Sequence, residues 1–214
     1  MPLIIYEEVG KNLKLLSPSS HCIRMALDHL GINAEFIGLT PGQLKNLNPK
    51  FKYAPILKDD RRIIQSEFKV ASYLERNFPS APTLFVGEER TQMAELLNSY
   101  VLDNLYSPLL CFLFDDLMYN LEERDRILFL SKKVFRKKSK KENLLEFNKK
   151  LNPLRSTLKK QEFLFGEIPG YVDYMVYALF VWAETLTDFP LLSPKDPLIY
   201  WKNSLHEIFN KRVA

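Results

Sequence analysis

The hydrophobic pattern changes period repeatedly within the first third of the chain, and that alternation restricts the fold more than any other feature. Leu3-Ile4-Ile5-Tyr6 is a short β-prone run. After a polar loop, the segment from Pro18 to Leu30 places Ile23, Leu27 and Leu30 on one helical stripe. Gly31 is positioned to stop that helix, because glycine adopts the left-handed conformation that a helix end favours. The run from Ala34 to Leu39 then reads as a second strand. Strand, helix and strand in this order call for a parallel pair joined by a crossover.

The segment from Thr40 to Pro49, rich in Pro, Gly and Asn, is expected to be a loop, and Tyr53-Ala54-Pro55-Ile56-Leu57 follows as a strand. Asp59-Asp60 makes a tight turn, Arg61-Arg62-Ile63-Ile64 returns as a hairpin partner, and Ser66 is placed to cap a helix running to Arg76. This order, β-α-β-loop-β-β-α, is that of a thioredoxin-like domain. Pro79 and Pro82 then punctuate a linker, and beyond it every period is helical. Tyr174 to Leu186 is apolar nearly all round, as expected of a central helix buried on every side. The expected fold class is therefore α/β plus all-α, with a thioredoxin-like domain over 1–78, a linker over 79–90 and a helical bundle over 91–214.

Composition narrows the function. Hydrophobic residues make up 46% of the chain, ample for packed cores, and the net charge of +4 is mild. Much of the basic excess lies between Lys132 and Lys160; it reads as a solvated face, so no nucleic-acid partner is expected. Cys22 and Cys111 are the only cysteines and lack metal or CxxC spacing, so neither a disulfide framework nor a metal site is expected, and a reducing compartment fits. The first residues lack the pattern of a secretory signal, and no run approaches the ~18 apolar residues of a membrane span. A cytoplasmic protein without a membrane partner is the expectation.

Three places can carry chemistry. Ser17-Pro18-Ser19-Ser20-His21-Cys22 opens the first helix, where unpaired backbone N–H groups and the helix dipole favour an anion. A hydroxyl there can donate to a bound thiol and lower its pKa, although taken alone Ser17-Pro18 is an ordinary helix cap. Ser17, Ser19 and Ser20 all remain candidates for that contact. Ala54-Pro55 joins a loop to a strand; a cis bond would turn the main chain of Ala54 outward to pair with an extended peptide, and the sequence leaves the isomer open. Gln65-Ser66 opens the next helix, where a carboxylate meets backbone donors and a hydroxyl together. Cys22, five residues beyond Ser17, reads as a core or helix-surface residue, and His21 as a polar surface residue.

The order and spacing of Ser17-Pro18, Arg24-Met25-Ala26-Leu27, Gly31, Ala54-Pro55-Ile56-Leu57 and Gln65-Ser66 resemble the glutathione S-transferase family. Phe163-Leu164-Phe165-Gly166 and Pro169-Gly170-Tyr171-Val172-Asp173-Tyr174 are similar to the central-helix signature of its β-etherase-related branch. The resemblance implies glutathione as co-substrate, a hydrophobic electrophile as second substrate and a homodimer. It implies that Ser17 donates to the glutathione sulfur and that Ala54, beside Pro55, pairs with the cysteinyl backbone. Gln65 and Ser66 would hold the γ-glutamyl group, and Lys52 would reach the glycyl carboxylate. Tyr100, Asp103, Tyr106 and Phe112 lie where the family builds its electrophile pocket. Asp173 falls where the family keeps a buried capping carboxylate, and Gly170 stands where the family usually has a Ser, Thr or Asn cap. Omega-type relatives, with cysteine at the position of Ser17, perform thiol-disulfide exchange; the resemblance implies that serine favours conjugation or thiol addition, and the branch suggests ether cleavage. A zeta-like isomerase and a non-catalytic binding module are the alternatives.

Overall fold

The computed structural model describes residues 2–51, 53–85, 87–130 and 138–210, excepting the side chains of 128, 129 and 210. Strand β1 (Leu3–Glu8) is followed by a short 3-10 turn, helix α1 (Pro18–Leu30), strand β2 (Ala34–Leu39) and helix α2 (Pro41–Leu47). Strands β3 (Ile56–Asp59) and β4 (Arg62–Gln65) form the hairpin, and helix α3 (Glu67–Asn77) closes the unit. The sheet order is β2-β1-β3-β4, with β1 parallel to β2 and antiparallel to β3. This mixed four-stranded sheet is thioredoxin-like, and the helical segments after it form a bundle.

One element departs from the sequence reading. The segment expected as a loop contains α2, because Thr40 and Gln43 form a reciprocal capping box and Pro41 occupies the first helical position. Residues rich in turn formers thus carry a helix-start signal that composition obscures. Glycine 42 also donates its N–H to Asp125 Oδ1 at 2.8 Å, which ties α2 to α6 (Glu123–Leu130).

The bundle begins at α4 (Glu88–Val101), and a five-residue π turn (Leu102–Tyr106) links it to α5 (Ser107–Asn120). After α6 come α7 (Lys140–Lys150), α8 (Asn152–Leu158), α9 (Tyr171–Leu186) and α10 (Leu198–Asn210). Helix α9 is buried along almost its whole length, as its all-round apolar sequence requires, and α1 packs directly on it. One continuous core therefore runs from Ile5 and Ile23 in the first domain to Tyr174 and Trp182 in the second. His29 crosses the same boundary: its Nε2 lies 3.2 Å from the Thr83 carbonyl, so Nδ1 accepts from the Tyr174 hydroxyl at 2.6 Å.

The basic stretch beginning at Lys132 lies outside the described residues up to 137. From Lys138 onward its charges include surface ion pairs, Lys138 with Glu146 and Lys140 with Asp116.

Gly170 caps α9 without a side chain, and the reason is steric. A Cβ built there would lie 2.7 Å from the Leu84 carbonyl oxygen, which accepts a hydrogen bond from Tyr171 N at 2.9 Å. Backbone on both sides cannot yield easily. Gly170→Ala is expected to cost about 1–3 kcal/mol by overpacking, seen as a fall of several degrees in the thermal midpoint. An unchanged midpoint would show that the 83–85 segment moves freely away from α9.

Candidate functional site

A cleft of about 400 Å3 opens where the end of β1 and the starts of α1 and α3 face α4, the π turn and α9. Its first-domain wall is set by a closed loop: Leu16 N donates to the Glu8 carbonyl at 3.0 Å, and Val9 pairs with Leu15. Ser17 consequently emerges at the cleft as the extended N-cap residue of α1. Its Oγ accepts from Ser19 N at 3.2 Å, and Pro18 at the first helical position removes one orphan donor. The Ser17 hydroxyl thus accepts from within the helix and keeps its own hydrogen to donate outward, beside the positive end of the dipole.

Ala54 and Ser66 join Ser17 on the same lining. The Ala54–Pro55 bond is cis, which answers what the sequence left open. Pro55 is buried behind Ala54 and, like Gln65 at the end of β4, is not on the lining. Ser66 occupies the N-cap position of α3 with φ 89° and makes no side-chain capping bond. The sequence expectation that its side chain caps the helix is therefore corrected, and Ser66 is a residue of the cleft lining.

Beside these residues lies a hydrogen-bonded cluster centred on Glu67. Its carboxylate receives the Ser19 hydroxyl, the Cys22 thiol and the Tyr171 hydroxyl, the last at 3.1 Å from Oε1. Burial pushes the Glu67 carboxyl above its ordinary range, and the three donors pull it back. The Cys22 thiol is fully buried and pushed well up, first by burial and then by the Glu67 charge, so it is a poor nucleophile. The cluster joins α1, α3 and the first residue of α9 at the edge of the cleft.

The second-domain wall is mainly apolar: Val101, Leu102, Leu110, Met175 and Leu179. Tyr106 supplies the hydroxyl. Its ring stacks on Trp182 at 5.8 Å, and burial, helped by the Glu8 charge, pushes its hydroxyl up to about 12, so it is protonated at neutral pH.

Residues 118–204 match the family model described as the glutathione S-transferase C-terminal domain. The chain superimposes on glutathione transferase GSTFuA2 from Phanerochaete chrysosporium with a TM-score of 0.79 at 19% identity, covering 100% of this chain and 97% of that one. It superimposes on the glutathione S-transferase CsGST83044 of Ceriporiopsis subvermispora, solved with glutathione, with a TM-score of 0.82 at 14% identity, over 98% and 99% of the two chains. Poplar glutathione transferase F1 gives 0.71 at 14% identity, over 99% and 98%. This chain has the glutathione transferase fold.

Within this glutathione transferase fold, the cleft gathers Ser17, Ala54, Ser66 and Tyr106 from the sequence-derived candidates. Lys52 lies outside the described residues. Of the three candidate serines, Ser17 and Ser19 line the cleft, whereas Ser20 is buried with its hydroxyl inside the core. Tyr100, Asp103 and Phe112 are not on the lining. Tyr100 donates to the Lys150 carbonyl at 2.9 Å, Asp103 is exposed, and Phe112 packs edge-on against Phe189 at 5.5 Å. From the same helices Asn98, Val101, Leu102, Tyr106 and Leu110 reach the lining instead, so helix phase decides which residues face the cleft.

Glu8, Glu67 and Asn98 line the cleft without having been singled out from the sequence. Glu67 had a legible signal, an acidic residue in the first turn directly after Ser66. Glu8 had only the oddity of a carboxylate at the end of a buried strand. His21 differs from the expected surface residue: it is half-buried in a separate depression with Glu7 and Arg24, its Nε2 buried. Burial and then the Arg24 charge lower its pKa to about 4, so it is neutral near pH 7. No described helix is long and apolar enough to cross a membrane, and no group of metal-ligating residues occurs among the described residues.

Proposed function

We propose that the protein is a glutathione transferase that binds glutathione against the first domain and presents its sulfur, as thiolate, to an apolar electrophile held against the second. The observation that carries this reading is the Ser17 hydroxyl, which has its hydrogen free to donate at the start of α1 on the same cleft lining as Ala54 and Ser66. Ser17 donates to the sulfur, and the helix dipole adds to the stabilisation of the anion. A thiol of ordinary pKa near ~8.5 lowered by about one to two units is largely thiolate at neutral pH.

The other roles follow the peptide outward from the sulfur. The main chain of Ala54 pairs with the cysteinyl backbone, with cis Pro55 beside it. Ser66 and Gln65 hold the γ-glutamyl group at the start of α3, and Lys52 reaches the glycyl carboxylate. In the conjugation step the sulfur lone pair forms a bond to the electrophilic carbon, and the leaving group departs with its bonding pair. The resemblance to the β-etherase-related branch makes an aromatic ether a candidate for that carbon's substituent. The protein accelerates the step by lowering the thiol pKa and by fixing the sulfur against the apolar wall.

Calorimetric titration with reduced glutathione, read alongside the ultraviolet absorbance of the bound thiolate, tests the reading. Binding in the micromolar to millimolar range with thiolate absorbance appearing below the pH of free glutathione is expected. Binding without that absorbance would reduce the site to a glutathione-binding module, and no binding at all would remove the reading.

A further inference from the structure

The junction of α5 and α6 touches the first domain at two places, and both lie on chain that leads into the cleft lining. At the end of α5, the Tyr119 carbonyl accepts from Lys11 Nζ at 3.1 Å, and the Asn120 carbonyl lies so close to Gly10 that no Cβ would fit there. Residues 10 and 11 belong to the loop that runs from β1 to Ser17. At the start of α6, Asp125 Oδ1 accepts from Gly42 N at 2.8 Å, and Asp125 is only 2% exposed. Gly42 lies in the first turn of α2, which leads to Ala54. The Lys11 contact is exposed to water and therefore weak, whereas the Asp125 bond has a charged acceptor held out of water and is the stronger tie.

Helix α2 carries that tie to the cleft through a small core of its own. Leu44 packs with Phe51, Ala54 and Ile56 in a cluster separate from the main core, and Ala54, although buried there, also lies on the cleft lining. Close-packed side chains transmit displacement, so a shift of α2 at Leu44 moves Ala54 as well. We infer that Asp125 is a positioning residue: from the second domain it holds α2, and through Leu44 the main chain of Ala54, in the place that pairs with an extended peptide. Calling that peptide glutathione rests on the transferase reading; the restraint on α2 and Ala54 does not. Ser17 lies outside the restrained segment, so Asp125 governs how tightly the peptide is held and not how its thiol ionises.

Amide hydrogen exchange and calorimetric titration with reduced glutathione, both on the full chain, test this. In the wild type the Gly42 amide is expected to be protected at least about tenfold over an unstructured amide, although a first-turn N–H has no acceptor within its own helix. In Asp125→Ala, exchange of the α2 amides and of Phe51 is expected to quicken by about tenfold with α9 unchanged, and glutathione affinity to fall by about tenfold. Thiolate absorbance at saturating glutathione should keep its wild-type value. Asp125→Asn retains an oxygen acceptor and should hold glutathione to within about threefold of the wild type. An unprotected Gly42 amide in the wild type overturns the inference whether or not the variants fold. So does an Asp125→Ala protein whose affinity stays within about twofold, or one that loses thiolate absorbance and α9 protection together with affinity, which marks a general loosening. If the wild type binds no glutathione, the transferase reading falls, and exchange of α2 and Phe51 in Asp125→Ala alone decides the role of Asp125.

Discussion

Ser17→Ala is expected to lower turnover of glutathione with an aryl halide by about 10²–10³-fold, the range associated with removing one preorganised donor to a developing or resting anion. The pKa of the bound thiol should rise back toward its ordinary value near ~8.5, so thiolate absorbance at neutral pH should largely vanish. Glutathione affinity should change by only a few-fold, because on the proposed function Ala54 and Ser66 would hold other parts of the peptide. The substitution also removes the acceptor for Ser19 N, a capping loss of about 1 kcal/mol. Ser17→Thr separates the two effects: it keeps both a cap and a donor, and should retain most of the turnover. Should Ser17→Ala keep its thiolate while Ser19→Ala loses it, the donor is Ser19, which also lines the cleft but already gives its hydrogen to Glu67.

The order of elements in the first domain was legible because each boundary carries a local signal: Ser17-Pro18 opens α1, Gly31 closes it with φ 65°, and the hairpin turns at Asp60-Arg61, one residue beyond the expected Asp59-Asp60. The half of the site built on those boundaries was legible for the same reason. Helix ends and strand ends fix the positions of Ser17, Ala54 and Ser66 whatever packs against them. The opposite half was not, since it depends on helix phase. Tyr106 and Leu110, one turn apart, reach the lining, while Phe112 lies on another side of α5 and joins the core. Glu67 and Cys22 illustrate a second limit. Their hydrogen bond joins residues 22 and 67, and nothing in the local sequence of either announces the other. Gly170 illustrates a third, because the Leu84 carbonyl that excludes a side chain there comes from the far side of the linker.

Asp173 is expected to give the largest effect on stability. It is completely buried at the third position of α9, where Oδ1 accepts from Leu164 N and Trp201 Nε1, each at 2.8 Å, and Oδ2 accepts from Gly170 N at 3.1 Å. One side chain thereby joins the loop before α9, the start of α9 and α10. Asp173→Ala would leave those donors buried without an acceptor and open a polar void, a loss of about 3–5 kcal/mol. Burial, only partly opposed by the hydrogen bonds, raises the Asp173 carboxyl from its ordinary 3.8 to about 6. The sign of the linkage follows from which state holds the proton more tightly. Between about pH 4 and 6 the folded protein binds it and the unfolded chain does not, so this group's contribution is full below pH 4 and is lost as pH rises through 6. The span of about two units corresponds to roughly 3 kcal/mol. Asp173→Asn keeps an acceptor for Leu164 and Trp201 but cannot titrate. The unfolding free energy of the wild type minus that of Asp173→Asn, measured by denaturant titration from pH 4 to 8, should therefore fall with rising pH and flatten above about 7. A difference that rises across the same interval would mean that the hydrogen bonds outweigh burial and hold Asp173 below its ordinary range, and the carboxylate would then stabilise the junction most at neutral pH.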